Sequence, residues 1–214
     1  MKDIVNIKKF CKMSITINSP EGSGNIFAKT ALLDIDCPTN VIHNYELLNS
    51  GGNNIFILRN PYDCILSAIE LPFLGNKYLS RQFNIDDNKT DQEINRHIEQ
   101  YLNYLKNYKN KKVYAVTFEF LTNNPKQFVE NVTSRFNRKI DKNKLDLISE
   151  ESVIKKLIEK NPHRAPFRDD NPRQKISIRE EIKTFLNEDK RMKDLYPIYL
   201  QHKNILQSTK NMVQ

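Results

Sequence analysis

Glycine is scarce, with five residues in a chain of 214, which excludes collagen-like and Gly-rich linker architectures. No stretch approaches the roughly 18 consecutive apolar residues that a membrane span needs. The first twenty residues, MKDIVNIKKFCKMSITINSP, break their apolar positions with charge and lack the continuous apolar block of a secretory signal. A cytoplasmic protein with no membrane partner is therefore the expectation. Cysteine is equally sparse. Cys11, Cys37 and Cys64 are odd in number, form no CxxC pair and match no zinc spacing, so they read as small buried apolar residues. No cluster of His, Cys and carboxylates calls for a metal. What is present is an ordinary globular composition, 38% apolar and 28% charged. The length suits one domain spanning residues 1–214, with a helical carboxyl-terminal part from about residue 140. The formal net charge of +8 points to a polyanionic ligand: nucleic acid, an acidic glycan or a phosphate-rich cofactor. Because the lysines are spread along the whole chain, charge alone does not choose among them.

The pattern along the chain alternates short β-rich runs with longer helical ones. Residues 13–18 (MSITIN) read as a strand, followed by the turn-rich SPEGSG and the helical NIFAKTALL. Val41–His43 is a possible short strand. Ile55–Leu58 is a continuous apolar run of the buried parallel kind, and Asn60-Pro61 opens a helix to about Glu70. A helical stripe of Ile94, Ile98, Tyr101, Leu102, Leu105 and Tyr108 spans 91–108, Val113–Phe118 is a fourth strand, and Asn124-Pro125 starts another helix. Helices are expected around 150–160 and 177–189, with a Pro- and Arg-rich connector at 161–175. Strands alternating with helices predict an α/β fold, a three-layer sandwich with a mainly parallel central sheet. In such sheets ligands bind at the carboxyl ends of the strands. That rule gathers Ser19–Asn25, His43–Glu46, Arg59–Asp63 and Glu119–Asn124 around one site.

Two segments carry chemistry. The first strand empties into a turn holding Gly22, Ser23 and Gly24 and then a helix, which is how a phosphate cradle is built: free backbone N–H groups and the positive end of a helix dipole face one spot. The ATP-binding form GxxxxGK[ST] is not met, since Ser23 and Ala28 stand where its glycines belong before Lys29-Thr30. In the second segment, NIFILRNPYDCILSAIE (54–70), a buried strand delivers Arg59 to its tip and the next helix carries Ser67. Arginine at a strand tip beside a helical hydroxyl makes a bidentate anion clamp; pairing of Arg59 with a surface carboxylate such as Asp63 is the other reading.

The order strand-Arg-Asn-Pro-x-Asp-x-x-x-Ser resembles the 3′-phosphate-binding segment of sulfotransferases that use 3′-phosphoadenosine 5′-phosphosulfate (PAPS), and with it a P-loop-like sulfotransferase fold. The resemblance makes Arg59 and Ser67 the holders of the 3′-phosphate. PEGSGNIF (20–27) is similar to that family's Ser-Gly-Thr-Thr-Trp loop, so Gly22, Ser23, Gly24, Asn25, Ile26 and Phe27 would receive the 5′-phosphosulfate. VIHNYELL (41–48) resembles the Thr-His-Leu-Pro strand, which makes His43 the general base, with Glu46 a second candidate. TFEFLTNNP (117–125) is similar to the segment whose aromatic residue, here Phe118, lies near the adenine. Two departures stand out. Gly22 occupies the position where the family carries Lys or Arg; Lys29, one turn beyond Asn25, is the candidate to replace it. The carboxyl-terminal Arg-Lys-Gly…Gly…Trp-Lys segment is reduced to HRAPFRDDNPRQKIS (163–177), in which Arg164 or Arg168 would reach the 3′-phosphate.

The implied reaction is transfer of a sulfuryl group from PAPS to a hydroxyl or amine of a small molecule or glycan, with adenosine 3′,5′-bisphosphate as product and no metal. Residues 71–90 have little periodicity and would form a lid over the acceptor, with Tyr78 and Arg81 on it. Three alternatives remain: a P-loop nucleotide kinase or ATPase using Mg²⁺, for which Asp34 and Asp36 are the nearest acids; a nucleic-acid binder, against which aromatic and basic residues are not interleaved; and a family member that binds the nucleotide without transferring sulfate.

Overall fold

A strand as apolar as Ile55–Leu58 is stable only where both of its faces are covered. The computed structural model, which describes residues 14–48, 52–74, 88–109, 113–160 and 172–210, covers both. In chain order the elements are β1 (Ile15–Asn18), α1 (Asn25–Leu33), β2 (Thr39–Ile42), a 3-10 turn (Tyr45–Leu48), β3 (Asn53–Leu58), α2 (Pro61–Leu74), α3 (Asn88–Asn107), β4 (Val113–Thr117), α4 (Phe118–Asn123), α5 (Pro125–Arg135), α6 (Lys142–Asp146), α7 (Glu150–Lys160), α8 (Pro172–Glu188) and α9 (Lys190–Lys210). The strands form one parallel sheet in the order β2-β1-β3-β4, with Ile17 opposite both Val41 and Ile55, and Leu58 opposite Thr117.

Side chains of a strand alternate between faces, and the two faces of β3 feed two separate cores. Ile55 and Ile57 join Ile15 and Ile17 against Phe27, Ala31 and Leu32 of α1 and Phe128, Val129 and Val132 of α5. Phe56 and Leu58 point the other way, into α2, α3, α8 and α9. There the Phe56 ring stacks between Tyr104 and Tyr108, with centroids 5.9 and 4.8 Å away. The expected three layers are therefore present.

The first crossover, from β1 to β2, runs through α1 on one face. The crossover from β3 to β4 runs through α2 and α3 on the other. The winding direction thus reverses between β1 and β3, and sheets of this kind receive ligands outside the carboxyl ends of the strands at such a reversal.

Several extents differ from the sequence reading. Helix α2 continues to Leu74 and α3 begins at Asn88, so the segment expected to be irregular is shorter; its residues 75–87, with Tyr78 and Arg81, lie outside the described residues. Of the expected connector, 172–175 are helical and 161–171 lie outside the described residues. The short α4 was not anticipated; α6 and α9 fall in the expected helical carboxyl-terminal part without having been delimited there, and α9 is interrupted by Pro197. A proline in a helix interior removes one backbone bond, but the burial of Met192, Leu195, Tyr199 and Leu206 holds α9 in place. Among the described residues, no helix is long and apolar enough to cross a membrane.

Candidate functional site

The turn between β1 and α1 is held from behind by its carbonyls. The Ser19 carbonyl accepts from His43 Nδ1 at 2.8 Å, and the Pro20 carbonyl accepts from the Ser23 hydroxyl at 2.7 Å and from Asn25 Nδ2 at 3.1 Å. The Glu21 carbonyl accepts from the Cys64 thiol at 3.0 Å, and the Gly22 carbonyl from Arg59 Nη1 at 2.5 Å. Four consecutive carbonyls are thus turned into the protein and satisfied by side chains. The opposite edge of the turn carries the amide groups. Gly24 caps α1 with φ 96°, no side chain caps that helix, and its first internal bond is Ala28 N–H to the Gly24 carbonyl. The N–H groups of Gly24, Asn25, Ile26 and Phe27 consequently have no partner among the described residues. Orphan N–H groups at a helix start, with the helix dipole behind them, favour an anion.

Gly22 is required by contact as well as by conformation. Its φ is 76°, and a Cβ there would lie 2.2 Å from the Cys64 carbonyl oxygen at the start of α2. A lysine or arginine cannot occupy this position while the turn lies against α2, which is the physical reason for the departure noted above. A Cβ on Gly24 would meet the Phe118 ring at 2.6 Å. Burial pushes the Cys64 thiol up to about 12, so it stays protonated and serves as the donor to Glu21.

Arg59 leaves the tip of β3 and reaches this turn. Besides Gly22, its Nη1 donates to Ser67 Oγ at 3.2 Å, and its guanidinium lies 4.3 Å above the Phe118 ring centre. It pairs with no carboxylate among the described residues, and Asp63 is exposed. Nε is buried and unpartnered, and Nη2 likewise has no bonded partner among those residues. Nε and Nη2 form the side edge of a guanidinium, which fits two oxygens of a phosphate or carboxylate at once.

His43, just past β2, is exposed, and its contacts fix its tautomer. A carbonyl only accepts, so the bond to Ser19 puts the proton on Nδ1 and leaves the Nε2 lone pair free. The Asn25 amide nitrogen, 3.4 Å from the same Nδ1, is then a neighbour and not a partner. Lys29 sits one turn into α1, partly buried, with no carboxylate partner among the described residues. Glu46 is exposed in the 3-10 turn. Among the cradle residues, the side chains of Ser23 and Asn25 are buried as staples of the turn, and Phe27 is buried in the core under α1. The two acids of the kinase reading lie at the far end of α1, where Asp34 pairs with Lys156 at 2.9 Å and Asp36 with Lys144. Arg164 and Arg168 lie outside the described residues.

Sequence reasoning overlooked the support that α3 gives this edge. Tyr104 donates to Asn18 Oδ1 at 2.7 Å, and Asn18 in turn accepts from Asn44 N–H at 3.2 Å and donates to the Asn44 carbonyl at 2.7 Å. Tyr101 donates to the Arg59 carbonyl, and Gln100 Nε2 donates to the His43 carbonyl at 3.3 Å. One helical face thus fastens the ends of β1, β2 and β3. The sequence signal is the phenolic hydroxyls in an otherwise apolar stripe, since a buried hydroxyl needs a partner.

No protein-family model matches this chain, and no curated protein matches it either. Among solved structures, a sulfotransferase from Alicyclobacillus acidocaldarius is similar at 14% identity and a TM-score of 0.34, over 70% of this chain and 83% of that one. An overlap of that size carries no functional weight.

Proposed function

We propose that this protein is a sulfotransferase that takes PAPS as donor and passes its sulfuryl group to a hydroxyl or amine. One observation carries the reading: an amide-lined turn whose carbonyls from Ser19 to Gly22 are satisfied by side chains lies beside an arginine whose bidentate edge is unpartnered, at the switch point of a parallel sheet. Two anion-binding points on one crevice match a nucleotide that is phosphorylated at both ends of its ribose. In this reading the turn 22–27 and the α1 N-terminus hold the 5′-phosphosulfate, Arg59 and Ser67 hold the 3′-phosphate, and Phe118, already in contact with Arg59, offers its ring to the adenine. Arg164 and Arg168 remain candidates for the 3′-phosphate.

The chain's own groups then do three things. Backbone amides and Lys29 neutralise charge on the phosphate that leaves. His43 Nε2, unprotonated in the tautomer that its Ser19 bond imposes, takes the proton of the attacking hydroxyl or amine. The crevice holds the acceptor in line with the sulfur–oxygen bond that breaks, as in phosphoryl transfer. The new bond joins sulfur to the acceptor, and adenosine 3′,5′-bisphosphate departs with the electron pair of the broken one. No metal has a part in it.

Incubation with ³⁵S-labelled PAPS and a panel of alcohols, phenols, amines and oligosaccharides tests this. Labelled product is expected with the wild type, and a drop of about 10²–10⁴-fold with His43→Ala. Stabilisation against heat by Mg²⁺-ATP and not by adenosine 3′,5′-bisphosphate would refute the proposal in favour of a kinase or ATPase.

A further inference from the structure

A groove separate from the β1–α1 turn lies between the carboxyl-terminal half of α3 and α9. Leu102, Leu105, Lys106 and Lys109 of α3 and Ile198 and His202 of α9 line an open groove of about 250 Å³. Its floor and walls are aliphatic. Ile198 is 38% exposed, and Ile205, seven residues on and so on the same side of α9, is 41% exposed. The polar part of the lining is of one sign: among the described residues, Lys106 and Lys109 are exposed and have no carboxylate partner, and no acid lines the groove. His202 is turned inward, its Nδ1 bonded to Tyr108 Oη at 2.9 Å, and burial together with Lys109 lowers its pKa, so the cationic part of the lining is the two lysines.

We infer that this groove binds a single-chain anionic amphiphile, an aliphatic chain with a carboxylate or sulfate head. The chain lies on Leu102, Leu105 and Ile198, and the head is paired by Lys106 and Lys109. The lysine stems add apolar wall while their ammonium groups stay at the rim, which is how long cationic side chains behave beside apolar surface. The volume is below the ~300–1,000 Å³ of pockets for drug-sized molecules, so one flexible chain fits where a ring system does not. The cationic rim selects the head: a cationic or neutral head of the same chain length gains nothing from the two ammonium groups. The inference does not depend on the proposed transfer reaction, because none of these residues belongs to that site.

Titration of the ¹⁵N-labelled full-length protein with decanoate, followed by amide chemical shifts, tests it. Saturable shifts are expected at residues 102–109 and 198–206. The double variant Lys106→Gln/Lys109→Gln, altered only at exposed positions, is expected to bind about tenfold more weakly, the size of two surface ion pairs. Ile198→Asp is expected to abolish the shifts while leaving the spectrum of the free protein folded. Decyltrimethylammonium bound as tightly as decanoate would overturn the inference, as would shifts confined to the β1–α1 turn. Binding to anionic phospholipid vesicles without any response to monomeric decanoate would also overturn it, by assigning the lysines to a membrane surface.

Discussion

Gly22 shows how much one residue without a side chain decides here. Read from the sequence, it is a missing cation; in the structure it is the point where the turn touches the Cys64 carbonyl. Gly22→Ala combines a left-handed backbone with a backbone overlap, and strain of this kind costs on the order of 1–3 kcal/mol even before the overlap is relieved. Guanidinium unfolding of this variant is expected to show that loss, together with weaker nucleotide binding as the turn moves off α2. An unchanged midpoint and unchanged binding would mean that the turn is not held as described. The Arg59–Ser67 pair was legible from sequence because it is local: a strand tip and the second turn of the next helix lie together whatever the rest of the chain does. The inward roles of Ser23 and Asn25 were not, because both residue types read equally well as ligands or as staples until their partners at Pro20 are seen.

At the scale of elements, the strand-turn-helix units were legible and the bracing between them was not. NIFAKTALL, the β3 run and the Pro-initiated helices declare themselves through period and punctuation. The bonds from Tyr101 and Tyr104 to Arg59 and Asn18 join residues far apart in the chain, so no local pattern announces them. The bounds of α9 within the expected helical carboxyl-terminal part were hidden for a related reason, since its packing outweighs Pro197. The brace makes a specific prediction. Tyr104→Phe keeps the ring stacked on Phe56 but removes the donor to buried Asn18, at a cost of about 1–2 kcal/mol. Because Asn18 fixes Asn44, beside His43, this variant is expected to lower the transfer rate while leaving nucleotide affinity unchanged. Equal losses in rate and affinity would show that α3 merely stabilises the fold.

For the whole molecule, pH reports on the second core. His97 is buried on α3, and burial first, then the neighbouring Arg96, lowers its pKa; His202 is lowered by burial and Lys109. Both therefore bind protons more readily in the unfolded chain, whose histidines titrate near 6.5. Stability is then full above that value and declines as pH falls through it toward the lower folded values. Asp189, whose pKa is held down by hydrogen bonds from Arg191, acts in the same direction but only in the more acidic carboxylate range, so the two effects separate. Denaturation curves are expected to shift to lower midpoints between about pH 7.5 and about pH 5.5, and the shift is expected to shrink in His97→Gln/His202→Gln. A midpoint constant across that range would mean that neither imidazole is held neutral by the fold.

The account as a whole rests on the crevice between β1 and β3 holding two phosphates at once. Calorimetric titration with adenosine 3′,5′-bisphosphate and with adenosine 5′-monophosphate measures this directly. The wild type is expected to prefer the bisphosphate by about 10- to 100-fold, the worth of a charge-assisted bond from Arg59 to the extra phosphate, and Arg59→Ala is expected to lose most of that preference. Equal affinities in the wild type, or a preference undiminished in Arg59→Ala, would contradict it.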